Sequence, residues 1–198
     1  GEWAVPGGDT ANTRHSALDQ ITPGNVARLV PAWHYATGAP RGQEGAPLVF
    51  DGMMVLHTPF PNEVRALALA DRRLLWAYRP TQDARVVPLM CCDVVSRGLA
   101  QGFGLVFLQQ ADGTLVALDA HSGQPVWQAA NSDARSGATA TNAPQVFDRY
   151  VVTGVSGGEY GVRGHLSAYE ARTGRLADRK STRLNSSHTD ISRMPSSA

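Results

Sequence analysis

Ala66-Leu-Ala-Leu-Ala-Asp-Arg-Arg-Leu-Leu-Trp76 is followed 51 residues on by Ala117-Leu-Asp-Ala-His-Ser-Gly-Gln-Pro-Val-Trp127, and after another 51 by Ala168-Tyr-Glu-Ala-Arg-Thr-Gly-Arg-Leu-Ala-Asp178. Tryptophan stands ten residues after alanine in the first two copies, and Asp178 takes that place in the third. Such a period marks a repeat architecture whose units bury their faces on one another. Upstream lie hairpin signals. Ala46-Pro-Leu-Val-Phe50, Asp51-Gly52 and Met53-Met-Val-Leu-His-Thr58 form one; Ala143-Pro-Gln-Val-Phe147, Asp148-Arg149 and Tyr150-Val-Val-Thr-Gly-Val155 form another. Leu115–Asp119 and its equivalents supply the next strand, and Pro125–Trp127 the outermost. Four short strands with a periodic tryptophan and a glycine turn are the signature of a propeller blade. The expected fold is all-β: a partial β-propeller of about three blades, an arc that reads as a fragment of a longer ring.

Composition agrees. Gly 20 and Pro 12 in 198 residues favour many turns, and 42% hydrophobic residues are too many for a disordered chain. A net charge of +1 leaves no electrostatic footprint for nucleic acid or anionic lipid. No apolar run is long enough to span a bilayer as a helix. The opening Gly-Glu-Trp has neither initiator methionine nor leader pattern, so a mature or truncated piece is expected.

The end of the chain breaks the pattern. Lys180 is the only lysine, six serines crowd residues 180–198 against seven in all that precedes, and the tryptophan fails at 178. Lys180-Ser-Thr-Arg-Leu-Asn-Ser-Ser-His188 resembles translated adaptor or vector text. Residues 1–177 are therefore assigned to the propeller, and 178–198 to a tail that is foreign or disordered.

Two features carry chemistry. The third repeat has five more residues than the first between hairpin and alanine, and the surplus falls in the glycine-rich Val155–Gly164. Glycines there let backbone approach a ligand, and Glu159 offers oxygen to a hard cation; taken alone, a surface turn with a solvated glutamate is the better reading of the loop. Cys91-Cys92, the only cysteines, are too few for a cysteine-rich zinc site. They are either ordinary buried thiols or a disulfide between neighbours, a strained ring that adds shape rather than stability. Arg97 offers a bidentate fork to a planar carboxylate. His34, His57, His121 and His165 have no ligand spacing and read as surface or core residues.

Pro88-Leu-Met-Cys-Cys-Asp-Val-Val-Ser-Arg-Gly98, with Gly42-Gln-Glu-Gly-Ala-Pro-Leu-Val49 and Ser156-Gly-Gly-Glu-Tyr-Gly-Val-Arg-Gly164, resembles the pyrroloquinoline-quinone (PQQ)-dependent alcohol dehydrogenases. Arg14-His-Ser-Ala-Leu-Asp-Gln-Ile21 and His57-Thr-Pro-Phe-Pro-Asn62 resemble the methanol dehydrogenase branch. His57-Thr-Pro-Phe-Pro61, Gln109-Gln-Ala-Asp112 and Gly158 look most like its lanthanide-dependent type. The resemblance covers residues about 1–176, the N-terminal third of an eight-bladed propeller. Ser96 departs from it, standing where the family usually has asparagine.

The resemblance implies a set of roles. A Cys91–Cys92 disulfide ring stacks on one face of the quinone. Glu44, Arg97, Thr141 and Ser156 hydrogen-bond its carboxylates and ring oxygens, Gly157 and Gly158 let their loop sit close, and Glu159 is the first ligand of calcium or a lanthanide ion. The remaining metal ligands and the catalytic aspartate have no match in this chain, so no catalytic residue is assigned. The implied enzyme is periplasmic and oxidises methanol or other primary alcohols to aldehydes. A metal-polarised quinone accepts hydride, a cytochrome c-type protein accepts the electrons, and the full-length protein forms a homo-oligomer. An ethanol dehydrogenase and a non-catalytic propeller scaffold are the alternatives; a scaffold has no use for adjacent cysteines or the Ser-Gly-Gly-Glu loop.

Overall fold

The computed structural model describes residues 2–9 and 11–181. Twelve of its strands form three four-stranded antiparallel sheets, each joining strands in chain order. The first contains β1 (Leu48–Phe50), β2 (Met53–His57), β3 (Val64–Ala68) and β4 (Leu74–Tyr78). A short strand, β5 (Cys91–Val94), lies between sheets. The second contains β6 (Ala100–Gly102), β7 (Leu105–Gln109), β8 (Thr114–Asp119) and β9 (Pro125–Ala130). The third contains β10 (Gln145–Phe147), β11 (Tyr150–Gly154), β12 (His165–Glu170) and β13 (Leu176–Ser181). These are the three expected blades.

The repeat fixes local geometry as well as order. Asp51 (φ 47°) and Gly52 (φ 70°) turn the first hairpin with two left-handed residues, which matches the right-handed twist of the flanking strands. The ladder between the third and fourth strands slips at Ala66/Leu67, Ala117/Leu118 and Ala168/Tyr169, the same bulge in every sheet. Trp76 then lies opposite Ala66 and Trp127 opposite Ala117.

Each tryptophan docks on the following sheet. Trp76 Nε1 donates to the Ala120 carbonyl (3.1 Å) and Trp127 Nε1 to the Ala171 carbonyl (2.8 Å). The rings lie flat on Gly123 and Gly174, where an added Cβ would sit 2.4 and 2.6 Å from ring carbons. Both glycines have positive φ, 69° and 70°, so backbone conformation and close approach demand glycine together. In the first sheet Arg72 stands at the equivalent position, also left-handed (φ 66°), with its guanidinium 5.8 Å from the Trp33 ring centre.

The core lies between sheets. Val106, Leu108, Val116 and Leu118 of the second sheet meet Leu48, Phe50, Val55 and Trp76 of the first. The alternate residues Leu105, Phe107, Leu115 and Ala117 meet Val151 and Tyr169 of the third. The middle sheet is covered on both faces, so all five residues of β7 are buried, whereas β2 alternates. Residues 178–181, set apart by composition, continue β13 in register, with Asp178 opposite Ala168 where the other sheets carry tryptophan. Residues 182–198 of the expected tail lie outside the described residues.

Candidate functional site

Glu44 precedes β1, Cys91, Cys92 and Arg97 lie between β4 and β6, Thr141 lies between β9 and β10, and Ser156–Glu159 lie between β11 and β12. The fold brings these connections together. Arg97 Nε stands 3.4 Å from Glu44 Oε2, and Arg97 Nη1 donates to Thr141 Oγ1 at 2.7 Å. Thr141 Oγ1 is 3.2 Å from Ser156 Oγ. The backbone repeats the link, since Arg97 N–H donates to the Thr141 carbonyl (3.0 Å) and Ser156 N–H to the Thr139 carbonyl (2.9 Å). Four predicted residues thus form one chain of an ion pair and two hydrogen bonds, with Thr141 buried and Arg97 exposed.

The glycine loop is built for close approach at one residue and not at the next. Gly157 is buried, with φ 116°, and an added Cβ would stand 2.2 Å from the Gly137 carbonyl oxygen. At Gly158 a Cβ meets nothing within 4 Å, so local packing does not require glycine there. Gly158–Tyr160 forms a single 3₁₀ turn that carries Glu159, and Tyr160 Oη donates to the Pro88 carbonyl (3.2 Å), tying the loop to the approach to Cys91.

The cysteines depart from the expectation. Both are exposed free thiols rather than a ring, and not buried thiols either. A hydrogen bond with Cys92, partial burial and the negative charge of nearby Glu159 push the Cys91 thiol up to about 11. Cys91 is therefore a neutral thiol at pH 7 and a poor nucleophile. Asp93 beside the pair is left-handed (φ 66°) and pairs with Arg41 at 3.2 Å.

Guanidinium and hydroxyl groups on one side, with a tight glycine turn, suit a flat anionic ligand. The arginine is already held by Glu44 and Thr141, so its fork is pre-oriented. The buried Ser96 and Thr139 hydroxyls have no hydrogen-bond partner. Among the described residues no group of three or more His, Cys, Asp or Glu is placed to hold a metal, so Glu159 alone is an incomplete set. A cleft of about 420 Å³ lined by Asp83, Arg85, Asp112 and Arg135 contains none of the predicted site residues.

Sequence reasoning missed Gly137 and Tyr160, which seat the glycine loop, and gave His57 no role. Burial holds the His57 imidazole below its ordinary 6.5. No helix among the described residues is long and apolar enough to cross a membrane.

Residues 3–179 match the family described as PQQ glucose/ethanol/alcohol dehydrogenase, β-propeller domain. A lanthanide-dependent methanol dehydrogenase of Methylorubrum extorquens is 49% identical over 168 residues, 84% of this chain and 28% of that protein. Subunit 1 of the methanol dehydrogenase [cytochrome c] of the same bacterium is 45% identical over 179 residues, 87% of this chain and 29% of the relative. The solved structure of a europium-containing methanol dehydrogenase is 44% identical with a TM-score of 0.89, covering 91% of this chain and 32% of its own. The chain thus spans under a third of the length of these relatives.

Proposed function

Because the chain belongs to the PQQ-dependent alcohol dehydrogenase propeller family, we propose that it is part of a periplasmic dehydrogenase that oxidises methanol or another primary alcohol to the aldehyde. The observation that carries this reading is the continuous Glu44–Arg97–Thr141–Ser156 chain, together with the nearness of Cys91 to Glu159. A scaffold propeller has no use for a hydroxyl pair, Thr141 buried and Ser156 half-buried, fixed to an oriented arginine. An ethanol dehydrogenase is the second reading, since the matched family description names ethanol dehydrogenases too.

When bound, the quinone supplies the two-electron acceptor. Arg97 turns its remaining N–H donors toward a carboxylate, and Glu44 keeps the guanidinium from swinging away. Thr141 and Ser156 share one hydrogen between their oxygens, which leaves the other hydroxyl proton to donate to the ligand. Gly157 keeps that loop within reach. Cys91 and Cys92 form the wall on one face, closing into a ring in an oxidising compartment. Glu159 contributes the first oxygen ligand to calcium or a lanthanide, the rest of the coordination coming from outside this chain. No residue here is assigned to take the alcohol proton. The name of one relative, methanol dehydrogenase [cytochrome c], supports a cytochrome c acceptor, and the full-length enzyme is proposed to be a homo-oligomer.

Dye-linked turnover with methanol tests this, comparing this chain, the whole dehydrogenase that carries its sequence, and the whole enzyme with Glu159→Ala. We expect no turnover from the chain alone with PQQ and calcium or a lanthanide, and turnover by the whole enzyme. Glu159→Ala is expected to lose bound metal and activity together. Turnover by the chain alone, or a fully active Glu159→Ala enzyme, would overturn the assignment.

A further inference from the structure

We propose that His57 is a positioning residue that fixes Glu44 and Arg97 relative to each other, an inference that rests on the cluster being the quinone site. His57 ends β2 and is 1% exposed. Its contacts fall on the neighbours of the two site residues. Nε2 lies 3.1 Å from the carbonyl oxygen of Ser96, immediately before Arg97. A carbonyl only accepts, so Nε2 carries the hydrogen. The His57 carbonyl accepts from Gln43 Nε2 at 2.9 Å, immediately before Glu44. Gly45, immediately after Glu44, presses on the ring so closely that an added Cβ would stand 1.9 Å from Cε1. Gln43 and Ser96 are themselves joined by a parallel β-bridge.

The imidazole is therefore a spacer clamped between the two loops. The Glu44–Arg97 ion pair cannot do this work alone, since both side chains are 47% exposed and solvent screens such pairs until they hold little. A rigid ring with one buried hydrogen bond holds two backbone segments at fixed separation far better than two solvated side chains do. The role also explains a neutral buried histidine whose Nδ1 has no partner: the site uses its shape and its Nε2 hydrogen.

The test uses the whole dehydrogenase carrying this sequence, as His57→Phe, His57→Gln and Gln43→Ala. Amide hydrogen exchange is read in residues 42–46 and 95–98 of the apoenzyme, alongside PQQ affinity by titration. His57→Phe keeps a ring and removes the hydrogen bond; loss of one buried bond predicts about tenfold faster exchange in both segments and about tenfold weaker PQQ binding. His57→Gln restores a donor of similar reach and should recover most of the affinity. Gln43→Ala, an exposed change, should loosen 42–46 while leaving 95–98 as in the wild type. Unchanged exchange in either segment of His57→Phe, or a lower melting temperature with PQQ affinity intact, overturns the proposal. Should His57→Phe fail to fold, Gly45→Ala decides, because it drives a methyl group into the imidazole: faster exchange in 95–98 supports the proposal and unchanged exchange there sinks it. A wild-type apoenzyme that does not bind PQQ defeats the function reading, while the exchange data still decide the role of His57.

Discussion

Phe50 and Phe147 occupy the same place in two hairpins, each ending Ala-Pro-x-Val-Phe before a turn, yet Phe50 is 2% exposed and Phe147 75%. Phe50 ends β1 on the face that the second sheet covers. Phe147 ends β10 on the equivalent face of the third sheet, which no described residue covers. Leu48 and Met53 are buried, and their counterparts are Gln145, exposed, and Tyr150, half-buried. The two sheets share a backbone plan, and the difference lies in what packs against them. Burial in this fold belongs to the junction between repeats, not to the repeat.

The largest effect that sharpens this contrast is deletion of the rings. Phe50→Ala should cost about 3–5 kcal/mol of stability, as large core truncations do, whereas Phe147→Ala should stay within about 0.5 kcal/mol. Denaturant unfolding measures both, and equal losses would break the comparison. Next come the docking glycines. Gly123→Ala and Gly174→Ala each force a methyl group into a tryptophan ring at positive φ, with an expected loss of roughly 1–3 kcal/mol. Gly123→Ala should be the worse, because Trp76 is buried and Trp127 only half-buried, so the second ring has more freedom to move aside. The smallest effect is expected from Asp178→Trp. It restores the repeat residue in register opposite Ala168, but no described glycine turn lies beyond it to receive the ring. The change in the unfolding midpoint should correspond to less than about 0.5 kcal/mol.

The sheets were legible because their signals are local. Alternating apolar residues, Asp51-Gly52 and the 51-residue spacing act over a few residues and repeat, so each copy corroborates the others. The bulge after Ala66, Ala117 and Ala168 leaves no local signal, although its effect, an outer strand that presents tryptophan to the next sheet, shows in the ten-residue offset shared by the first two copies. The site was legible only through resemblance. Glu44, Arg97, Thr141 and Ser156 are scattered over four connections, and nothing local marks any of them as a partner of the others. The same limit explains His57: a single histidine at a strand end looks like any core residue until Gly45 and Ser96 are seen against it. Gly157 and Gly158 look alike in sequence, and only three-dimensional proximity to Gly137 separates them.

The docking of Trp76 and Trp127 also sets an order of events during synthesis. Each ring reaches a carbonyl 44 residues further along the chain, and every sheet ladder joins consecutive strands. Such separations are modest, so closing each junction asks little search of the chain. A ribosome adding about 5–20 residues per second delivers the partner of Trp76 within several seconds of the tryptophan itself. Until then the newest sheet waits with one face bare. Assembly therefore advances from the N-terminal side one junction at a time, and the sheet most exposed to aggregation at any moment is the one emerging last.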